Sequence, residues 1–170
     1  MKTILYMAIT ANGYIARKND ETPWSKEEWE SFFSKVKEAK NIVLGRKTFE
    51  MMKSNGNLAE IGDIFIVVVS DKIKNDSDEA NCLFVNSPAQ AVEALKEKGF
   101  TEAFVAGGGI LNSSFMQEGL VDEIYLDIEP FVFGDGVRLF SENDFEENLE
   151  LLAIKKLSKN VVQLHYSLIK

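Results

Sequence analysis

Cysteine and histidine are nearly absent from this sequence. Cys82 is the only cysteine and His165 the only histidine among 170 residues. No disulfide can form within the chain, and no Cys/His set with metal-ligand spacing exists. The longest apolar runs, at 4–9 and 64–69, are far shorter than the roughly 20 residues that cross a membrane. These shortages argue against a disulfide scaffold, a metal site and a transmembrane protein.

Basic residues are also in deficit. The chain has 19 Lys and Arg against 27 Asp and Glu, a net charge of −8, and this charge repels phosphate backbones. General nucleic-acid binding is therefore not expected, but a local basic pocket for one small phosphorylated ligand is compatible with it. Residues 1–7 lack the charge pattern and apolar stretch of a signal peptide. We therefore expect a cytoplasmic protein with no membrane contact.

The chain does contain enough apolar material for one core. Hydrophobic residues make up 45% of the sequence and include 12 Phe. A length of 170 residues suits one domain, because two halves would each have an undersized core. We therefore expect residues 1–170 to form a single domain.

Apolar runs and helical patterns alternate over the first two thirds of the chain. Strands are predicted at 4–9, 42–44, 64–69, 82–85 and 103–106, and again at 124–128, 149–157 and 161–169. Helices are predicted after Ser25, Gly45, Ser87 and Gly109, and Glu28 completes a capping box with Ser25. The alternation favours parallel βαβ units, and the last strands form an antiparallel end. The expected fold is a three-layer α/β domain with a mostly parallel central sheet and antiparallel C-terminal strands.

Three glycines in succession, Gly107, Gly108 and Gly109, stand between a predicted strand and a predicted helix. Without Cβ atoms they let backbone amides approach an anion at the positive end of the helix dipole. A tight turn that only packs helix on strand is the alternative. The spacing differs from the Rossmann fingerprint, and the junction lies late in the chain.

A second strand-to-helix junction, at 44–48, carries Arg46, Lys47 and Thr48. Two cations at a helix start oppose the helix dipole unless they serve an anion, although a solvated helix end is the competing interpretation. Ser70 and Lys72 follow the strand at 64–69, and ligands bind beyond the carboxyl ends of strands in open α/β sheets. The three junctions together predict a phosphate-bearing ligand along one sheet edge.

Acid–base candidates are few. His165 lies in an alternating strand and is expected to be solvated, and no Ser/His/Asp or Cys/His set can be assembled around it. Glu28 lies near the aromatic residues Trp29, Phe32 and Phe33. A carboxyl beside such a wall can have a raised pKa, but the capping box offers a structural role instead. Hydride transfer needs no protein nucleophile, so a reductase suits this set better than a hydrolase.

The motifs in order resemble the dihydrofolate reductase fold, and most closely the C-terminal reductase domain of the bifunctional riboflavin-biosynthesis protein. The segments that carry the resemblance are 10–16 (TANGYIA), 23–24 (PW), 44–50 (LGRKTFE), 106–109 (AGGG) and 129–140 (EPFVFGDGVRLF). Trp29 stands at the place of the dihydrofolate reductase carboxylate, with Glu28 and Glu30 beside it. Asn12 stands where the riboflavin branch usually has Asp.

The resemblance implies an NADPH site along the sheet edge. The implied cofactor-binding residues are Ala8, Ile15, Gly45, Arg46, Lys47, Thr48, Val69, Ser70, Lys72, Ala106, Gly107, Gly108, Gly109, Ile110 and Leu111. The substrate is expected against Trp24, Phe32 and Phe33, with Glu28 or Asp127 as the polar catalytic group.

The implied function is NADPH-dependent reduction of 5-amino-6-(5-phosphoribosylamino)uracil. A dihydrofolate-type (pteridine) reductase is the second candidate. A non-catalytic nucleotide-binding module and a structural interaction domain remain alternatives, and the first of these predicts cofactor binding without turnover. Proteins of this branch often dimerise, so a homodimer is also expected.

Overall fold

An eight-stranded sheet forms the centre of the molecule in the computed structural model, which describes residues 1–71 and 81–169. The strands in chain order are β1 (Lys2–Thr10), β2 (Tyr14–Ala16), β3 (Asn41–Gly45), β4 (Phe65–Val69), β5 (Cys82–Val85), β6 (Glu102–Val105), β7 (Glu123–Glu129), β8 (Val137–Arg138), β9 (Leu149–Lys156) and β10 (Val162–Leu168). All of them belong to the central sheet except β2 and β8, which pair with each other.

The helices begin where the sequence places its caps and glycines. They are α1 (Lys26–Ala39), α2 (Arg46–Ser54), α3 (Asn57–Ile61), α4 (Pro88–Glu97) and α5 (Gly109–Gln117). The side chains of Ser25 and Ser87 cap α1 and α4 by accepting from the backbone N–H three residues further on. In the described residues no helix has the length and apolar character of a membrane span.

The strand order is β5-β4-β3-β6-β1-β7-β10-β9. Neighbouring strands from β5 to β7 run parallel, whereas β10 pairs antiparallel with both β7 and β9. The predicted connection at 158–160 joins β9 and β10, and Leu157 donates its N–H to the Val161 carbonyl at 3.0 Å. The mostly parallel sheet with an antiparallel C-terminal end is thereby confirmed.

Helices pack on both faces of the sheet through two apolar clusters, so the fold has three layers. One cluster contains Phe32 and Val36 of α1 with Phe49 and Met52 of α2. The other contains residues of α4 and α5, among them Leu95 and Phe115. Strands that are covered on both faces read as continuous apolar runs, which is why β3 and β4 could be predicted from sequence.

The small sheet of β2 and β8 was not predicted, and neither was α3. These elements have only three, two and five residues, too few to show a period. The pairing is nevertheless important for the site. Tyr14 of β2 lies opposite Arg138 of β8, and this contact brings residues 137–141 back over the sheet edge.

Candidate active site

A cavity of about 750 Å³ opens where β3, β4 and β6 reach their carboxyl ends. Its wall includes the ends of β3 and β4, the residue after β6, and the middle of β1. This is the edge at which open α/β sheets bind their ligands, and the volume lies within the usual range for small-molecule sites.

Two helices point their N-termini into this cavity without a side-chain cap. Helices α2 and α5 have glycine N-caps, Gly45 and Gly108, and no described side chain caps either helix. Helices α1 and α4, in contrast, are capped by serines. The first N–H groups of α2 and α5 are therefore not satisfied by a capping side chain and suit an anionic ligand.

The glycines of the second junction lie against neighbouring backbone and side chains. A Cβ on Gly109 would stand 2.5 Å from the Arg138 carbonyl oxygen, and one on Gly108 would stand 3.3 Å from Thr48 Oγ1. Gly107 has φ +82° and accepts a hydrogen bond from the Gly45 N–H at 2.8 Å. The two predicted junctions thus contact each other directly, and the lack of side chains lets both helix starts reach one cavity.

The two cations at the start of α2 already have protein partners. Arg46 Nη1 lies 2.9 Å from Glu50 Oε1, and Lys47 Nζ lies 2.8 Å from Asp20 Oδ2. Both side chains are substantially exposed, by 48% and 77%, so each pair contributes little to stability. The sequence reasoning missed these partners. The cations remain at the cavity wall and are available to a phosphate that displaces the acids.

Most of the residues predicted to bind the cofactor line this one cavity. They are Ala8, Ile15, Gly45, Arg46, Lys47, Thr48, Val69, Ser70, Ala106, Gly108, Gly109, Ile110 and Leu111. Gly107 is not among the described lining residues, and a Cβ there would lie 3.0 Å from the Met7 side chain. Lys72 lies outside the described residues.

Glu28 does not complete the predicted capping box. Ser25 Oγ accepts from the Glu28 N–H at 3.2 Å, so the serine half of the motif is present. The N–H of Ser25, however, donates to Glu129 Oε1 at 3.2 Å, and the Ser25 hydroxyl donates to the same oxygen at 2.6 Å. Glu129 of β7 therefore takes the place expected for Glu28, and Glu28 is instead part of the cavity wall.

The Glu28 carboxyl is buried in the cavity wall. The residue is only 3% exposed, and its Oε2 has no hydrogen-bond partner among the described residues. Burial, and then the nearby charges of Asp127 and Glu129, raise the pKa of Glu28 well above its usual value. A carboxyl of this kind can hold a proton near neutral pH and can pair with a donor-bearing ligand.

An aromatic wall faces this end of the cavity. Trp24, Trp29 and Phe32 all line it. The Trp24 ring stacks on Phe133 at 6.4 Å, and Trp29 meets Phe32 edge-on at 6.0 Å. The Phe33 ring packs against Trp29 and Phe32, with centroids 5.5 and 5.7 Å apart, and is not among the described lining residues, so a substrate contact by Phe33 stays a prediction.

Asp127, the other predicted catalytic group, does not line the described cavity, and its catalytic role stays a prediction. It is fully buried and is not among the described lining residues. Its carboxylate accepts hydrogen bonds from the Tyr6 hydroxyl and from Gln163 Nε2, the latter at 2.8 Å. Burial raises the pKa of Asp127 to about 6 despite these bonds. Asp127 thus lies behind Tyr6, which does line the cavity.

His165 is not the solvated strand residue that alternation predicts. Its Nε2 lies 2.8 Å from Glu123 Oε2, and its ring stacks on Tyr125 with centroids 3.9 Å apart. Asn12 also has a structural role, because its amide bonds the backbone of Phe133 at 2.7 and 3.2 Å. Neither residue lies in the described wall of the cavity.

Sequence reasoning did not identify several cavity residues. Among them are Tyr6, Asp20, Met51, Val137 and Ser141. Tyr6 carried the only available signal, a hydroxyl in an otherwise apolar buried strand. The other residues reach the cavity through loop and helix packing that leaves no local pattern. Among the described residues no three His, Cys, Asp or Glu side chains are placed to hold a metal ion.

Comparison with known proteins identifies similar sequences over most of the chain. The family model of the RibD C-terminal domain matches residues 1–163. The uncharacterized protein YwjB of Bacillus subtilis is 32% identical over 170 residues, which cover 97% of both chains. The dihydrofolate reductase type 1 of Escherichia coli is 32% identical over 133 residues, which cover 76% of this chain and 78% of that protein.

A solved structure supports the fold. A protein of Shewanella sp. PV-4, linked by its name to riboflavin biosynthesis, superposes with a TM-score of 0.84 over 100% of both chains. The sequences are 23% identical, so this similarity supports the fold alone. The dihydrofolate reductase-like fold expected from the motif order is confirmed.

Proposed function

The chain belongs to the family of RibD C-terminal domains, and from this membership and the cavity we propose that it is an NADPH-dependent reductase of a small heterocycle. One observation carries the proposal. The uncapped N-termini of α2 and α5 and the buried acid Glu28, one of whose carboxyl oxygens has no partner among the described residues, line the same cavity. Such a cavity suits an anionic cofactor at one end and a polar planar ring at the other.

The chain's residues support each part of this chemistry. The first N–H groups of α2 and α5, with Arg46 and Lys47, would bind the cofactor phosphates. Ala8 and Ile15 would hold the nicotinamide end in an apolar setting. When bound, NADPH supplies the hydride that adds to the carbon of a C=N or C=O bond. Glu28 would supply the proton to the nitrogen or oxygen of that bond and regain it from solvent.

Trp24, Trp29 and Phe32 would pack on the substrate ring. These side chains form the apolar wall beside Glu28. A ring held against them excludes water from the reacting atoms and strengthens its polar contact with Glu28. This arrangement gives Glu28 a selective role, because a ring must present a donor or a basic atom to this carboxyl.

Two substrate classes are compatible with the reductase proposal. Family membership supports a pyrimidine of riboflavin biosynthesis, 5-amino-6-(5-phosphoribosylamino)uracil. The cavity supports a dihydrofolate-type pteridine as the second candidate. Arg46 and Lys47 are the only cations among the described lining residues, and both are assigned to the cofactor. No further lining cation is then available for a substrate phosphate within the described residues.

Cofactor oxidation followed at 340 nm across a panel of pyrimidines and pteridines tests this function. We expect turnover with at least one ring that presents a donor edge, and faster turnover with NADPH than with NADH. The alternative of a non-catalytic nucleotide-binding module predicts saturable cofactor binding with no oxidation for any ring. If the protein neither binds nor oxidises the cofactor, the reductase proposal and the binding-module alternative are both contradicted.

A further inference from the structure

Glu129 ties the end of β7 to the start of α1. Its side chain is only 1% exposed, and Oε1 accepts two hydrogen bonds from Ser25, from the N–H at 3.2 Å and from the hydroxyl at 2.6 Å. Ser25 in turn caps α1 by accepting from the Glu28 N–H. A continuous chain of hydrogen bonds therefore runs from Glu129 through Ser25 to the backbone of Glu28.

A neutral acceptor would make the same two bonds at lower cost. The amide oxygen of Gln can accept from the Ser25 N–H and hydroxyl, whereas a buried carboxylate must be stripped of water. In addition, Glu129 Oε2 is buried with no partner among the described residues. Anchoring of α1 uses only one of the two Glu129 carboxyl oxygens, so the second oxygen needs another explanation.

The Glu28 carboxyl provides that explanation. We infer that Glu129 is a positioning residue for Glu28, which fixes the first turn of α1 through Ser25 and places a carboxylate beside the Glu28 carboxyl. The inference rests on the proposed function, in which Glu28 is the proton donor. A neighbouring negative charge favours the protonated form of an acid, which is the form that a donor must have.

Other charged and titratable groups face this site from the surrounding elements. Asp127 on β7 acts on Glu28 in the same direction as Glu129. The Tyr6 hydroxyl on β1 bonds Asp127, and Lys155 on β9 partly offsets the charge of Asp127. Removal of the Glu129 charge therefore leaves Asp127 in place, and only part of the effect on Glu28 should be lost.

Carbon-13 NMR of side-chain carboxyls in the glutamate-labelled protein tests the inference without any substrate. The Glu28 signal is identified by its loss in Glu28→Gln, and its titration is then compared between the native chain and Glu129→Gln. We expect the midpoint of Glu28 to fall by roughly half to one pH unit in Glu129→Gln. Glu27→Gln, an exposed acid in the same helical turn, should leave the midpoint unchanged.

An unchanged Glu28 midpoint in a folded Glu129→Gln protein overturns the inference. If that variant does not fold, the pair Ser25→Ala and Ser25→Thr serves as the second test, because it breaks or keeps the hydroxyl link from Glu129 to α1 without changing either acid. A Glu28 midpoint near the ordinary value in the native chain also overturns it. None of these results depends on whether the protein turns over a substrate, so failure of the proposed function remains distinguishable.

Kinetics tests the hydrogen-bonded link itself. Ser25→Ala removes the hydroxyl that joins Glu129 to α1, whereas Ser25→Thr keeps it. With an active substrate we expect kcat to fall about tenfold or more in Ser25→Ala, with KM for NADPH unchanged, and to be restored in Ser25→Thr. A loss that is equal in both variants, or one confined to thermal stability, contradicts the positioning role.

Discussion

At the scale of single residues, the protonation of Glu28 governs the proposed chemistry. Its carboxyl is buried and one of its oxygens has no partner among the described residues. An acid in such a setting resists ionisation, because the charged form loses its hydration. Glu28 is therefore able to keep a proton at a pH where an exposed glutamate has lost it.

Replacement of Glu28 by Gln should remove the proton donor and keep the shape of the site. We expect kcat to fall by about 10²- to 10⁴-fold, the usual contribution of a general acid. The affinity for NADPH should stay within about twofold, because the cofactor phosphates bind at α2 and α5. Steady-state kinetics with the best substrate, together with a cofactor titration, measures both quantities.

The control for that experiment is Glu27→Gln. Glu27 is exposed in the same first turn of α1, so the variant makes the same substitution beside Glu28 without touching the cavity. Its kcat should match that of the native protein. A similar loss of kcat in both variants would mean that any change of an acid in the first turn of α1 lowers the activity, and proton donation by Glu28 would not be supported.

Arg46 offers a prediction about the cofactor. Its guanidinium is half exposed and paired with Glu50, so solvent and this acid weaken any phosphate contact. Arg46→Ala should reduce NADPH affinity by roughly tenfold, the low end for a charge-assisted bond. Glu50→Gln is the matched variant, and it should leave affinity equal or slightly higher. Isothermal titration calorimetry gives both values, and equal affinities in Arg46→Ala and native protein contradict the contact.

The same residues show what sequence could predict at this scale. The residue types at the glycine junctions predicted the part of the cavity wall at the two helix starts, because glycines and cations placed there suit an anionic ligand. The direction of Glu28 was not predictable. It depends on Glu129, whose bond with Ser25 spans 104 residues of sequence. The place of Asp127 behind Tyr6 likewise depends on the packing of β1 against β7.

At the scale of elements, the two uncapped helix starts are the main feature of the site. Helix α5 can approach residues 138–141 closely because Gly109 has no side chain, and Ser141 donates its N–H to the Gly109 carbonyl at 3.3 Å. Any Cβ at this position would meet the Arg138 carbonyl oxygen. The junction therefore depends on a glycine for packing as well as for ligand access.

Gly109→Ala should lower the free energy of unfolding by about 1–3 kcal/mol, as overpacking does, and should also weaken NADPH binding. Gly134→Ala is the matched control, because a Cβ there has nothing within 4 Å. Urea denaturation of both variants measures the difference. Equal stability of the two proteins would mean that the loop after β8 shifts to accommodate the added Cβ with no loss of unfolding free energy.

Strands and helices of ordinary length were predictable, and the short ones were not. Continuous apolar runs identified β3 and β4, and serine caps identified α1 and α4. Strands β2 and β8 have three and two residues, and they exist because they pair with each other. No local propensity specifies such a pairing, so the two strands were not predicted, although Ile15 of β2 was expected in the cavity wall.

At the scale of the whole molecule, buried acids make stability depend on pH. The pKa of Asp127 is raised to about 6 in the folded protein, whereas an unfolded chain has an ordinary Asp. An acid with a raised folded pKa stabilises the fold at low pH, and this contribution is lost as the pH rises through 6. Glu28 acts in the same direction.

Asp127→Asn should remove part of this dependence. From pH 8 to pH 5 the native protein should gain about 1 kcal/mol more unfolding free energy than Asp127→Asn, since only the native chain takes up that proton. Urea denaturation at the two pH values measures the difference between the proteins, and loss of the Asp127 charge lowers the pKa of Glu28 and so adds to this difference in the same direction. Identical pH profiles would mean that Asp127 titrates normally in the fold.

The homodimer expected from the family resemblance stays a prediction. Strand β9 forms one edge of the sheet and is exposed along all of its eight residues, and several of them are large and apolar, among them Leu151 and Ile154. Size-exclusion chromatography with light scattering measures the state in solution. A monomer at all concentrations removes the expectation and leaves the site unaffected.

The central claim is that one cavity binds NADPH across the two helix starts, beside Glu28. Fluorescence titration with NADPH and NADH tests it most directly, because Trp24 and Trp29 both line the cavity and report its occupation. We expect saturable quenching in the micromolar range, with tighter binding of NADPH than of NADH. If neither dinucleotide binds, the glycine junctions are structural, and the reductase account is contradicted.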